Sequence, residues 1–176
     1  MIGLLPSAIN GYACSTDPGK LDFYGNRTNE PRLSINDVEG RILSELVRGL
    51  SVLEIGTGLG VSTRWMAKTA AGVYTVDADP WVQEYVFPTL PGNVICMTEL
   101  PPLDRCFAAA FVDSCHDYQA VRVDIRTVRM WVKQGGLLIF HDLYIEGVKR
   151  AIDEAFGDKY VHIQTTAGMA LAWNDR

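Results

Sequence analysis

Residues 52–62 read VLEIGTGLGVS: a short apolar run, one carboxylate at Glu54, and glycines at positions 56, 58 and 60. An apolar run of this length closed by glycine is the pattern of a strand covered on both faces, and Val61 to Ala70 continues with helical spacing. Strand, glycine turn and helix in succession open a parallel sheet of the α/β class, where ligands collect at the carboxyl ends of the strands. Gly56, Gly58 and Gly60 allow positive φ and a close approach of backbone to ligand. The dinucleotide fingerprint G-x-G-x-x-G needs its third glycine one place later than Gly60, where this chain has Val61.

Glu54 decides what such a turn can hold. Beside a pyrophosphate its charge is repulsive by about 1 to 4 kcal/mol at ~4 Å, and beside a cation the sign reverses. A nucleoside whose far end carries an ammonium and a sulfonium suits both the turn and the acid. S-adenosylmethionine is that ligand, and the same argument disfavours a nicotinamide-dependent oxidoreductase. The alternative is a solvated carboxylate at the strand end of a nucleotide site. Asp77 ends the next apolar run, in VYTVDADP, 21 residues after Gly56. At that spacing a carboxylate reaches ribose hydroxyls. Alternatively, Asp77 or Asp79 caps the helix that Pro80 opens.

The 176 residues fit one domain, and 48% apolar with 21% charged residues can build a core. A net charge of −5 repels polyanions, so nucleic acid is not the expected partner. Cys14, Cys96, Cys106 and Cys115 form no CxxC pair, which predicts neither a disulfide framework nor a zinc knuckle and suits a reducing compartment. No apolar stretch nears 18 residues, and the apolar start lacks a basic flank. The expectation is a cytoplasmic protein away from membranes, with a homodimer left open.

From Tyr12 to Arg32 the chain is rich in Gly, Pro, Asn, Asp and Thr, which predicts a flexible N-terminal arm or lid over 1–33 and one domain over 34–176. Ile35, Val38, Ile42 and Leu46 mark a first helix, capped by Ser34 or Asn36 and closed by Gly49. Strands are expected at Ser51 to Ile55, Val73 to Val76, Asn93 to Met97, Phe107 to Val112 and Leu137 to Phe140. A short helix should run from Asp79 to near Pro88. Tyr118, Val121, Ile125, Val128 and Val132 stripe a long helix from Asp117 to Gly135-Gly136, and Ile145 to Phe156 forms another. Tyr160 to Gln164 and Met169 to Trp173 read as a terminal strand pair joined by Thr-Thr-Ala-Gly.

The segments VLEIGTGLGVST, VYTVDADP, AAFVDSCHDYQAVRVDI and GGLLIFHDL, in that order, resemble the class I S-adenosylmethionine-dependent methyltransferases. The last two are closest to a small-molecule branch whose fourth strand ends in Asp-x-x-His-x-Tyr and whose fifth ends in His-Asp. The resemblance implies a Rossmann-like three-layer sandwich with a seven-stranded, mostly parallel sheet in the order 3-2-1-4-5-7-6, the seventh strand antiparallel. It implies that Gly56, Thr57, Gly58, Gly60 and Ser62 line the cofactor, that Glu54 faces its amine, that Asp77 holds the ribose and that Thr98 or Glu99 meets adenine, with Asp113 nearby. The activity implied is methyl transfer to a small-molecule acceptor, more readily to a hydroxyl oxygen than to nitrogen or carbon. A non-catalytic module that binds the cofactor or a nucleoside within an assembly is the rival.

Two strand ends converge on polar residues: Asp113, Ser114, Cys115, His116 and Asp117 after the fourth, His141 and Asp142 after the fifth. In metal-dependent O-methyltransferases the corresponding positions bind Mg²⁺ and the acceptor, so Asp113, His141 and Asp142 are a candidate set for a divalent metal such as Mg²⁺. The histidine departs from that pattern toward softer ions. Alternatively, His116 or His141 is a general base oriented by Asp142 or Asp117, or His116 and Asp117 merely cap the long helix. Arg122, Arg126, Arg129 and Lys133 form a narrow basic stripe read as a solvated rim, and Trp65, Trp81, Trp131 and Trp173 read as core or interface.

Overall fold

A computed structural model describes residues 34–100 and 107–175. The arm or lid expected over 1–33 lies outside these residues. A first helix, α1 (Asp37–Leu46), leads into strand β1 (Ser51–Ile55), helix α2 (Val61–Ala67) and strand β2 (Gly72–Val76). A π-helical turn (Val82–Val86) and a 3-10 turn (Phe87–Thr89) precede β3 (Val94–Met97). Then come β4 (Phe107–Val112), α3 (Tyr118–Trp131), β5 (Val132–Phe140), α4 (Glu146–Phe156), β6 (Val161–Ile163) and β7 (Met169–Trp173). The seven strands lie in the order β3-β2-β1-β4-β5-β7-β6. Those from β3 to β5 are parallel, and β7 runs antiparallel to both of its neighbours. This is the expected topology.

Period-2 alternation divides the strand side chains between two cores. Leu53, Ile55, Ala110, Val112, Leu138 and Phe140 pack with Val121, Ile125 and Val128 of α3 and with Ile152 of α4. Val52, Ala109, Phe111 and Ile139 pack with Leu43 of α1 and Met66 of α2. The same alternation carries Glu54 onto the α1 and α2 face, and continues past the ends of β4 and β5 to Asp113 and His141. Two acids and a histidine thus emerge on one side of the sheet.

Some boundaries differ from the sequence reading. The long helix stops at Trp131, not at Gly135-Gly136, because the Asn174 side chain reaches back from β7. Its Nδ2 donates to the carbonyls of Arg129 at 3.1 Å and Val132 at 2.7 Å, satisfying groups that a helix end leaves open. Strand β5 accordingly begins at Val132, and its pairing with β4 shifts register between Phe107 and Ala109. Helix α2 ends at Ala67 instead of Ala70, and the helix expected after Pro80 is the pair of tight turns. Of the tryptophans, Trp131 is buried and Trp65 packs against the α1 and α2 core, whereas Trp81 and Trp173 are exposed. The basic stripe is not all free rim: Arg122 pairs with Glu154 of α4, and Arg129 donates to the Ala155 carbonyl. No helix among the described residues is long and apolar enough to cross a membrane.

Candidate active site

The glycine turn after β1 is held against the end of β4. Gly56 has φ +92°, and a Cβ there would lie 2.3 Å from the Asp113 carbonyl oxygen and 2.8 Å from Ser114 Cα. Only glycine meets both demands, so turn and polar strand end form one site. Asp77, at the end of β2, accepts from Thr57 N at 2.9 Å and Gly58 N at 3.0 Å, and also from Asp79 N. Burial raises its pKa. Asp79 accepts from Trp81 N and so opens the following turn, as one sequence reading expects. Glu54 is fully buried, and its two oxygens accept from Ser62 Oγ and Thr63 Oγ1, each at 2.6 Å. Burial outweighs the hydroxyl bonds and pushes its pKa up to about 7. The acid therefore lies beneath the turn, against the first turn of α2.

A second group lies on the other side of Gly56. His116 Nε2 is 2.7 Å from Asp142 Oδ2 and 3.8 Å from Asp113 Oδ1. His141 Nδ1 is 3.4 Å from both Asp113 Oδ1 and Asp142 Oδ2. Both imidazoles thus stand as ion-pair partners of the same two carboxylates. Asp113 and Asp142 raise His116 to about 10. Burial works against charge on His141, but the same two carboxylates outweigh it and hold the ring at about 11. Burial likewise opposes ionisation of Asp113 and Asp142, yet the facing imidazoles hold both below the usual carboxylate range. Asp142 has φ +56°, the one positive value outside glycine among the described residues, which turns its carboxylate back toward β4. Asp117 is occupied as the N-cap of α3, accepting from Gln119 N and Ala120 N, so Asp142 is the acid that partners His116. The first turn of α4 closes on the same loop: a Cβ on Gly147 would lie 2.4 Å from the His116 carbonyl oxygen.

A family model described as a methyltransferase domain matches residues 53–143, from β1 through the loop after β5. The chain belongs to the class I S-adenosylmethionine-dependent methyltransferases. No curated protein matches this methyltransferase significantly. Among solved structures it is similar to a Klebsiella pneumoniae protein provisionally named an O-methyltransferase, at 23% identity and TM-score 0.69, over 83% of this chain and 84% of that one. It is also similar to the O-methyltransferase TomG of Streptomyces achromogenes, solved with S-adenosylmethionine, at 18% identity and TM-score 0.69, over 83% of each chain. A tRNA methyltransferase from Aquifex aeolicus matches at 19% identity and TM-score 0.61, over 80% of this chain and 70% of that one. Likeness at such identities speaks for the fold.

The methyltransferase fold brings together Glu54, Gly56, Thr57, Gly58, Ser62 and Asp77 around one turn, with Gly60 as the left-handed N-cap of α2. Asp113, His116, His141 and Asp142 meet beyond it. Thr98 and Glu99 follow β3 as exposed residues beside Asp77, whose N–H donates to the Met97 carbonyl. The sequence reading missed Glu39. This buried residue of α1 places Oε2 3.4 Å from His141 Nε2, accepts from Asn36 N at 2.9 Å, and accepts at Oε1 from Ala167 N at 3.0 Å in the β6–β7 turn. Its one sequence signal is the Asn36-x-x-Glu39 capping box, which accounts for the helix start but not for the histidine.

Proposed function

We propose that the protein transfers the methyl group of S-adenosylmethionine to a hydroxyl oxygen of a small molecule. The observation that carries this is the pairing of His116 with Asp142, next to a glycine turn flanked by Glu54 and Asp77. The O-methyltransferases among its structural relatives support the reading. In it, Gly56, Thr57, Gly58, Gly60 and Ser62 line the methionine and ribose, and Asp77 exchanges its backbone partners for ribose hydroxyls. Glu54 supplies the negative charge that the ammonium needs, through Ser62 or by rotation of its carboxylate. Thr98 or Glu99 meets the adenine.

Methyl transfer is an in-line displacement on a carbon already activated by positive sulfur, so placement and exclusion of water supply most of the rate. His116 is the more exposed imidazole and takes the hydroxyl proton, and Asp142 orients it and stabilises the resulting charge. Asp113, His141 and Asp142 each offer one donor atom, all within 4.8 Å of one another, and fit a divalent cation. When bound, such an ion lowers the pKa of the acceptor hydroxyl and fixes its oxygen. The test is transfer of labelled methyl from S-adenosylmethionine to a panel of phenols, catechols, aliphatic alcohols and amines. Label on oxygen, lost in His116→Gln, is expected. Label confined to amines, or no transfer while the cofactor binds, would refute the assignment.

A further inference from the structure

His141 has a side chain 5% exposed, and neither ring nitrogen has a hydrogen-bond partner. Nδ1 faces two carboxylate oxygens at 3.4 Å, and Nε2 faces a third, on Glu39, also at 3.4 Å. Three carboxylates thus surround one imidazole, an excess of negative charge that a cation among Nδ1 and the two aspartate oxygens would balance. Two donors about 2.1 Å from a common ion at tetrahedral angles lie about 3.4 Å apart, which is the spacing of His141 Nδ1 from each carboxylate. A histidine that ligates through one nitrogen ordinarily gives its other N–H to a carboxylate, which fixes the tautomer and makes the ligating nitrogen more basic. Glu39 stands where that carboxylate is needed. It is held there by two backbone N–H groups, from the start of α1 and from the β6–β7 turn.

We propose that Glu39 is the positioning residue of a cation site: it takes the Nε2 proton of His141, so that Nδ1 joins Asp113 and Asp142 around a first-row transition ion in preference to Mg²⁺. The preference follows from the donors, since imidazole suits borderline ions whereas Mg²⁺ favours an all-oxygen set with several waters. His116 Nε2 reaches the same two oxygens from the loop, at 3.8 Å from Asp113 Oδ1 and 2.7 Å from Asp142 Oδ2. The inference rests on the methyltransferase reading for its role, but its chemistry is separable from methyl transfer.

The experiment uses the 176-residue chain labelled with ¹⁵N-histidine, which contains three histidines, titrated with Zn²⁺, Mn²⁺ and Mg²⁺ separately. Long-range ¹H–¹⁵N correlation reads the tautomer, a competing chelator dye reads affinity, and calorimetry with S-adenosylhomocysteine runs in parallel. Zn²⁺ should shift the His141 Nδ1 resonance while Nε2 keeps its proton, Mn²⁺ should broaden the same resonance, and Mg²⁺ should bind at least tenfold more weakly. Glu39→Gln and Glu39→Asp should each weaken Zn²⁺ by about 10- to 100-fold with S-adenosylhomocysteine affinity unchanged. Zn²⁺ that leaves Nδ1 unmoved, shifts Nε2 instead, or binds no tighter than Mg²⁺ overturns the proposal. So does a folded Glu39 variant with wild-type tautomer and affinity. If a variant fails to fold, the wild-type tautomer decides alone. Loss of S-adenosylhomocysteine binding in the wild type would count against the methyltransferase reading and not against the cation site.

Discussion

Replacing Glu54 by glutamine separates its cost to the fold from its use to the ligand. The carboxyl titrates at about 7 in the folded chain against an ordinary 4.5. Because the folded pKa is raised, the fold favours the protonated form. The penalty is absent below the ordinary value, grows as pH rises, and is complete above about 7. At about 1.4 kcal/mol per unit, it reaches about 3 kcal/mol at pH 8. Glutamine is neutral throughout and can still bond Ser62 and Thr63, since either hydroxyl can reverse its donor role. Ligand-free Glu54→Gln should therefore melt higher than the wild type at pH 8, by about 6 to 12 °C for a chain of this size, with the gap shrinking to roughly a quarter of that at pH 5. If Glu54 supplies the charge that balances the ammonium, as proposed, affinity for S-adenosylmethionine should fall at least tenfold. Thermal melts at the two pH values with calorimetric titrations test both halves. A variant no more stable than wild type at pH 8, or a gap independent of pH, would refute the placement of a buried charge here.

Gly56→Ala forces a Cβ to within 2.3 Å of the Asp113 carbonyl at φ +92°, and urea denaturation should show a loss of about 2 to 4 kcal/mol. His116→Gln should lower kcat by about 10² to 10⁴ with cofactor affinity unchanged in calorimetry. Since Asp113 and Asp142 hold His116 at about 10, and a base must be unprotonated to act, wild-type kcat/KM should climb with pH through 8 and 9. Asp142→Asn should move that limb to lower pH in a stopped-time assay. Asn174→Ala removes the amide that closes α3 and should cost about 1 to 3 kcal/mol in chemical denaturation, while leaving S-adenosylhomocysteine affinity intact.

The sheet order and the antiparallel last strand were legible because glycines, apolar runs and caps punctuate this chain clearly, and because its motifs match a family whose topology is regular. The metal and base candidates were legible from the two polar strand ends, since strands paired as Val112 with Phe140 bring the next residues, Asp113 and His141, side by side. What the sequence hid are long-range polar contacts. Nothing in a capping box says that Glu39 also faces a histidine about a hundred positions away. Nothing in the terminal Trp173-Asn174 says that the amide ends a helix four turns long. The burial of Glu54 was hidden too. An acid before a glycine turn looks the same in sequence whether it opens to the cleft or lies under two hydroxyls, and only the packing of α2 decides.

On the proposed reading, the turn between Glu54 and Asp113 holds a nucleoside with a cationic tail. Calorimetric titration of the wild type with S-adenosylmethionine, S-adenosylhomocysteine and NADH, repeated on the Glu54→Ala, Asp77→Ala double variant, tests it most directly. Saturable binding of the first two, none of NADH, and loss of binding in the double variant are expected. Binding of NADH in their place, or S-adenosylmethionine affinity undiminished in the double variant, would contradict it.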